Sequence, residues 1–173
     1  LRTLGLAGDE RASGLLDGGR PFYDVYQTSD GRHLAVGPLE PQFYAALLDL
    51  LDLTDRAPDR DDPANSTALR DLLAATFAAR TMAEWSEVFA GTDACVTPIL
   101  TPDEAACHPH NAARGTFVES GGVMQPAPAP RFSRTQATLG APPPVLNPGT
   151  REALQAWGID NVRVRQGDTT VFA

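Results

Sequence analysis

Lysine is absent from this 173-residue chain. All 14 basic side chains are arginine, and they face 22 aspartates and glutamates for a formal charge of −8. The arginine-only usage reads as a base-composition bias of the gene. The acidic balance excludes a phosphate-backbone binder, because counterion release needs a clustered basic surface, so nucleic acid is not an expected partner. Cysteine is scarce as well, with Cys95 and Cys107 the only two, which excludes a disulfide framework and points to a reducing compartment. No apolar run approaches the ~20 residues that cross a bilayer, and the first residues lack the basic-then-apolar order of a signal peptide. A soluble, cytoplasmic protein with no membrane partner is the expectation. Dinucleotide (GxGxxG) and Walker loops and the GxSxG elbow are missing too. What is present is a 42% hydrophobic composition, enough for one packed core.

The chain starts at Leu1, and residues 1–19 read as a linker or helical tail entering from upstream, ended by Gly18-Gly19. Residues 22–27 and 33–37 flank Ser29-Asp30-Gly31 and form a β-hairpin. Pro41 opens a helix to about residue 53, with Phe43, Leu47, Leu50 and Leu51 on one face. Asp55 to Pro63 is a charged surface loop. Ser66 should cap a second helix carrying Leu69, Leu72, Leu73 and Phe77. Thr81 and Glu84 form a capping box for a third helix with Trp85, Val88 and Phe89, closed by Gly91. Residues 94–100 read as a strand that Pro98 keeps at an edge or an end. Thr101 and Glu104 form a second capping box, and residues 116–119 another strand.

Residues 20–125 thus read as a small lobe of mixed helix and strand. Residues 126–146 are a proline-rich connector, and 147–173 hold a last helix, with Leu154 and Trp157 apolar and Gly158 as its stop. A lone helix after a long connector needs a receiving surface outside this lobe.

Glu40 stands at the N-cap of the first helix, a place that prefers Ser, Thr, Asp or Asn. The helix dipole and free N–H groups there favour an ionised carboxylate, suited to orienting or charge-balancing a histidine; an ordinary surface glutamate is the plain alternative. Cys107, His108 and His110 with Asp103 lack the second Cys/His pair that a zinc site needs and read as a turn. His33 reads as an edge-strand side chain. Cys95, in an apolar run with no histidine nearby, reads as a buried structural thiol. Asp49, Asp52, Asp55, Asp59, Asp61 and Asp62 lack the spacing of a calcium loop, and Arg56 and Arg60 are interleaved, as in a solvated helix end. No metal and no resident cofactor is expected.

Five stretches occur in an order that resembles a known family: Asp17-Gly-Gly-Arg-Pro-Phe-Tyr23, Tyr26 with Asp30-Gly31, Ala35-Val-Gly-Pro-Leu-Glu-Pro-Gln-Phe-Tyr44, Phe89-Ala-Gly-Thr-Asp-Ala-Cys-Val-Thr-Pro98, and His108-Pro-His-Asn-Ala-Ala-Arg-Gly-Thr-Phe117. Together they resemble the second half of the α-methylacyl-CoA racemases, within the family III CoA-transferases. The last stretch is shared across the wider group, and the third and fourth are closer to the racemase branch. Asn147-Pro-Gly-Thr150 departs from the start that relatives usually have there.

The resemblance implies an α/β enzyme with a doubly wound CoA-binding domain and a smaller α+β lobe, the present chain being that lobe plus a helix returning to the large domain. It implies interlocked homodimers and a 2-methylacyl-CoA substrate of fatty acid metabolism, whose C2 proton moves through an enolate between a histidine and an aspartate on opposite faces. Both lie in the half of the family's chain that is not present here. A glutamate that pairs with that histidine falls on Glu40. The chain alone is therefore expected neither to bind CoA tightly nor to turn over. A CoA-transferase with a nucleophilic aspartate and a non-catalytic interaction module are the competing readings, and the module predicts a polar surface where the fragment predicts exposed apolar side chains.

Overall fold

The computed structural model describes residues 3, 9–140 and 155–158. The chain divides into two units, Leu1–Asp103 and Glu104–Ala173. The first is built on a three-stranded antiparallel sheet of β1 (Asp24–Gln27), β2 (His33–Val36) and β3 (Val96–Pro98), in that order. The register sets Tyr26 opposite Leu34 and Val36 opposite Val96. Because successive side chains alternate across a sheet, these four fall on one buried face, while Val25, Gln27 and Thr97 on the other are exposed. The expected hairpin and strands are present. β3 lies at the edge, where Pro98 removes no interior ladder bond. β2, by contrast, is paired on both sides, so His33 begins the central strand and is not on an edge.

Three helices supply the other half of the core: α1 (Pro41–Leu50), α2 (Ser66–Phe77) and α3 (Met82–Phe89). Leu47, Leu69, Leu73 and Phe77 are fully buried, and α2 packs on β1 while α3 packs on β3. The Phe77 ring is 5.3 Å from that of Tyr26 and 5.5 Å from Trp85, whose indole N–H donates to the Phe77 carbonyl at 2.9 Å. The Tyr26 hydroxyl donates to the Pro21 carbonyl at 2.6 Å, and burial holds its ionisation well above the usual phenol range.

Local chemistry sets the helix ends. Thr81 and Glu84 close the expected capping box of α3, and Gly91 follows its end at φ +72°, a left-handed conformation that glycine takes without a Cβ clash. The start of α2 differs from expectation. Asn65, not Ser66, is its N-cap, and a 3₁₀ turn (Pro63–Asn65) precedes it, capped by the Asp62 carboxylate accepting from Ala64 N–H at 2.9 Å. Pro63 fits a first helical position and Asp62 is a strong N-cap acceptor, so this pair starts the turn three residues earlier. The described part of the upstream stretch, residues 9–19, is turns and bends and holds no α-helix. The Asp17 carboxylate accepts from Gly14 and Gly19 N–H. Gly19 packs so tightly that a Cβ would lie 2.3 Å from the Gly14 carbonyl oxygen. Arg70 on α2 then ties this turn to β1, pairing with Asp24 and donating to the Gly18 carbonyl.

The second unit holds the rest of α4 (Pro102–Cys107), then α5 (Pro109–Ala113) and the hairpin of β4 (Phe117–Ser120) with β5 (Val123–Pro126). The expected strand at 116–119 is β4. Its partner β5 was not anticipated, yet Gly121 and Gly122 both have φ > 0, the requirement of a tight two-residue hairpin turn. Residues 127–140 of the connector form no helix or strand. Most of the expected last helix, Leu154 included, lies outside the described residues. Residues 155–156 are helical, and Gly158 stops them at φ +73° with its N–H on the Gln155 carbonyl.

Phe77→Ala opens a cavity where three aromatic rings and the indole N–H converge, so urea unfolding should show a loss of about 3–5 kcal/mol. A loss below about 1 kcal/mol would mean that the site collapses and that this cluster is not the centre of the core.

Candidate functional site

Residues 37–40 link β2 to α1, and three distant stretches of sequence meet there. Gly37 N–H donates to the Cys95 carbonyl at 3.0 Å, which extends the β2–β3 pairing past the strand end. A Cβ on Gly37 would stand 3.4 Å from the Tyr23 ring, so the glycine lets that ring pack close. Pro38 is fully buried. Leu39 N–H turns back to the Gly37 carbonyl at 2.9 Å.

Glu40 is the N-cap of α1, as expected, with extended backbone (φ −73°, ψ 145°) and Pro41 next. Its carbonyl accepts from Tyr44 N–H at 3.0 Å, while its carboxylate makes no capping hydrogen bond and is exposed. A cap of Ser or Asp would fold its oxygen back onto the helix N–H groups; this glutamate presents its charge outward instead.

Cys95 is tied to Gly37 through its carbonyl, and its thiol feels the Glu40 charge. The residue is exposed, which corrects the expectation of a buried thiol. Its side chain alternates outward between Ala94 and Val96, which are buried on the inner face, and its backbone sits in the left-handed region at φ +53°. Its thiol donates to the Asp93 carbonyl at 3.5 Å. Partial removal of the sulfur from water pushes its pKa up, and the negative charges of Glu40 and Asp93 push it further in the same direction. The thiol is thus held protonated, and the expected inertness rests on this partial desolvation together with the two negative charges, not on full burial.

Sequence reasoning missed Arg60. Expected among solvated aspartates, its side chain is only 11% exposed. The guanidinium lies 4.6 Å from the Phe22 ring centroid and 4.5 Å from that of Tyr44. Its two terminal nitrogens donate to the Pro38 and Leu39 carbonyls, each at 3.1 Å. The aspartates around it masked the signal, since no spacing rule separates one buried arginine from its solvated neighbours.

Across the sheet from the helices, an open groove of about 340 Å3 runs between Leu16, Tyr23, Val25 and Ala35 and ends at Gly37. Its lining is mostly apolar, with Asp17 and Asp24 at one side. In the second unit, His108 is the N-cap of α5 and uses its carbonyl, not its ring, to accept from Ala112 N–H. Among the described residues no three His, Cys, Asp or Glu side chains gather as a metal site, and no helix is long and apolar enough to cross a membrane.

Residues 3–150 match the CoA-transferase family III domain. The chain belongs to that family. It is 42% identical over 168 residues to the α-methylacyl-CoA racemase of Mus musculus, covering 95% of this chain and 44% of the relative. It is 40% identical over 159 residues to the α-methylacyl-CoA racemase of Homo sapiens, covering 90% and 42%. The crystal structure of a CAIB/BAIF family protein from Brucella suis superposes with a TM-score of 0.54 at 24% identity, over 78% of this chain and 37% of that one. The mixed helix-and-strand unit is therefore a piece of the family III fold, and the chain spans less than half the length of the curated relatives it matches. Gly37, Glu40 and Cys95 lie in the two stretches that resemble the racemase branch.

With Cys107 replaced by serine, alkylation of Cys95 followed against pH should show a thiol that ionises above the ordinary range. Glu40→Gln should move that midpoint to lower pH, because a negative charge opposing the thiolate is removed. An unmoved midpoint would place the Glu40 carboxylate away from the sulfur.

Proposed function

We propose that this chain is the Glu40-bearing part of an α-methylacyl-CoA racemase, and that the complete enzyme epimerises C2 of 2-methylacyl-CoA thioesters by proton transfer through an enolate. The observation that carries the reading is a carboxylate at the N-cap of α1, exposed and without a capping bond, in a chain that shares 40–42% identity with two racemases. Glu40 pairs with a histidine of the other half, holds its tautomer and steadies the imidazolium formed when it takes the C2 proton. An aspartate on the opposite face delivers or removes the second proton, which two-sided transfer requires.

Residues 20–125 act as the small lobe, 126–146 as its connector and 147–173 as the return to the large domain, in an interlocked homodimer. Large apolar side chains exposed on the described residues, Val25, Ile99, Val123, Met124, Phe132 and Trp157 among them, favour a part that is completed by another domain over a stand-alone module. Acyl-CoA is the substrate; no resident cofactor takes part in this chemistry, which needs only acid and base groups.

The test is C2 proton exchange of a 2-methylacyl-CoA in D2O, followed by NMR. The full-length enzyme should introduce deuterium with loss of stereochemical purity, and the 173-residue chain alone should not. Glu40→Gln should slow exchange about 10- to 100-fold, the scale of a mispositioned catalytic group. CoA passing to an added carboxylate without exchange would assign the protein to the transferases and leave Glu40 as a helix cap.

A further inference from the structure

The segment that carries Glu40 has few means of holding itself. Pro38 and Pro41 have no N–H, and the one backbone bond within residues 37–40 is Leu39 N–H to the Gly37 carbonyl. The carbonyls of Pro38 and Leu39 need donors, since buried backbone oxygens are paired in stable folds. Both donors come from Arg60, which reaches back 22 and 21 residues along the chain. The guanidinium is itself fixed by the Phe22 and Tyr44 rings, two members of the core that stand edge to face at 6.0 Å. Its remaining nitrogen, Nε, lies 3.9 Å from the exposed carboxylate of Asp61, a contact of little energetic weight.

We propose that Arg60 is a positioning residue of this site: by gripping the two carbonyls that precede Glu40 and resting on the aromatic core, it sets the place and direction of the Glu40 carboxylate. The inference rests on the reading of Glu40 given above. A planar fork with several donors can serve two carbonyls while stacking on rings, and an ammonium at the end of a flexible stem cannot do both. Arg60→Lys therefore keeps the charge and the affinity for the rings and removes the grip, which makes it the informative variant.

In the full-length enzyme, Arg60→Lys should lower kcat for C2 exchange about 10- to 100-fold with KM nearly unchanged. It should cost nothing further in a Glu40→Gln background, because the group it positions is then already lost. An equal loss in both backgrounds would overturn the proposal and leave Arg60 as a fold residue. The second readout needs no activity. In the 173-residue chain with Cys107→Ser, Arg60→Lys should shift the Cys95 titration toward that of Glu40→Gln, since the carboxylate is no longer held beside the sulfur. An unchanged titration in a variant with native far-UV circular dichroism would also overturn it. Arg60→Gln, run alongside, keeps the test in force if the lysine variant unfolds. If Glu40→Gln leaves exchange untouched, the functional reading of Glu40 fails, and the thiol titration still decides whether Arg60 holds the loop.

Discussion

A guanidinium removed from water must find hydrogen-bond acceptors and a weakly polar bed, or it destabilises the fold that buries it. Arg60 has both: two backbone carbonyls at 3.1 Å and the faces of Phe22 and Tyr44. The dependence runs the other way too. The β2–α1 junction, with Pro38 inside it and Pro41 just after it, has one backbone bond of its own, and the carbonyls of Pro38 and Leu39 find their donors in the arginine. Junction, core and candidate site are one mechanical unit. Glu40 is held from below by the helix it caps and from behind by Arg60, while its carboxylate stays free.

The charges that act on Cys95 are both negative. Partial desolvation of the sulfur and the charges of Glu40 and Asp93 all oppose ionisation of Cys95, so it is kept as a thiol. Such a surface is poorly suited to thiolate chemistry and suited to facing a cation, as the proposed pairing of Glu40 with an imidazolium requires. In the proposed reading this chain contributes one charge to a centre completed by the rest of the enzyme, and it spans less than half the length of the racemases it resembles.

The backbone exceptions explain several of the residues that carry the family resemblance without invoking chemistry. Gly19 is required by a close approach to Gly14 and Gly91 by the end of α3, and Cys95 occupies a left-handed conformation at the turn into β3. Of the stretches that resemble the family, then, part is scaffold. The Glu40 carboxylate, exposed and without a capping bond, has no such local role.

Helices α1 to α3, the β1–β2 hairpin and the α3 capping box were legible in the order of residues, because each depends on neighbours within a few positions: the three- and four-residue recurrence of leucines, a Thr and a Glu three apart, a glycine in a tight turn; α5, on the stretch read as a turn, was not. The candidacy of Glu40 was legible for the same reason, since an N-cap position and a family motif are local patterns. What came only from the tertiary structure was the burial of Arg60, the exposure of Cys95, the central place of β2 and the meeting of residues 37–40 with Cys95. Each of these depends on groups brought together from distant parts of the chain, and no local spacing encodes which of several similar arginines or cysteines the folded core will select.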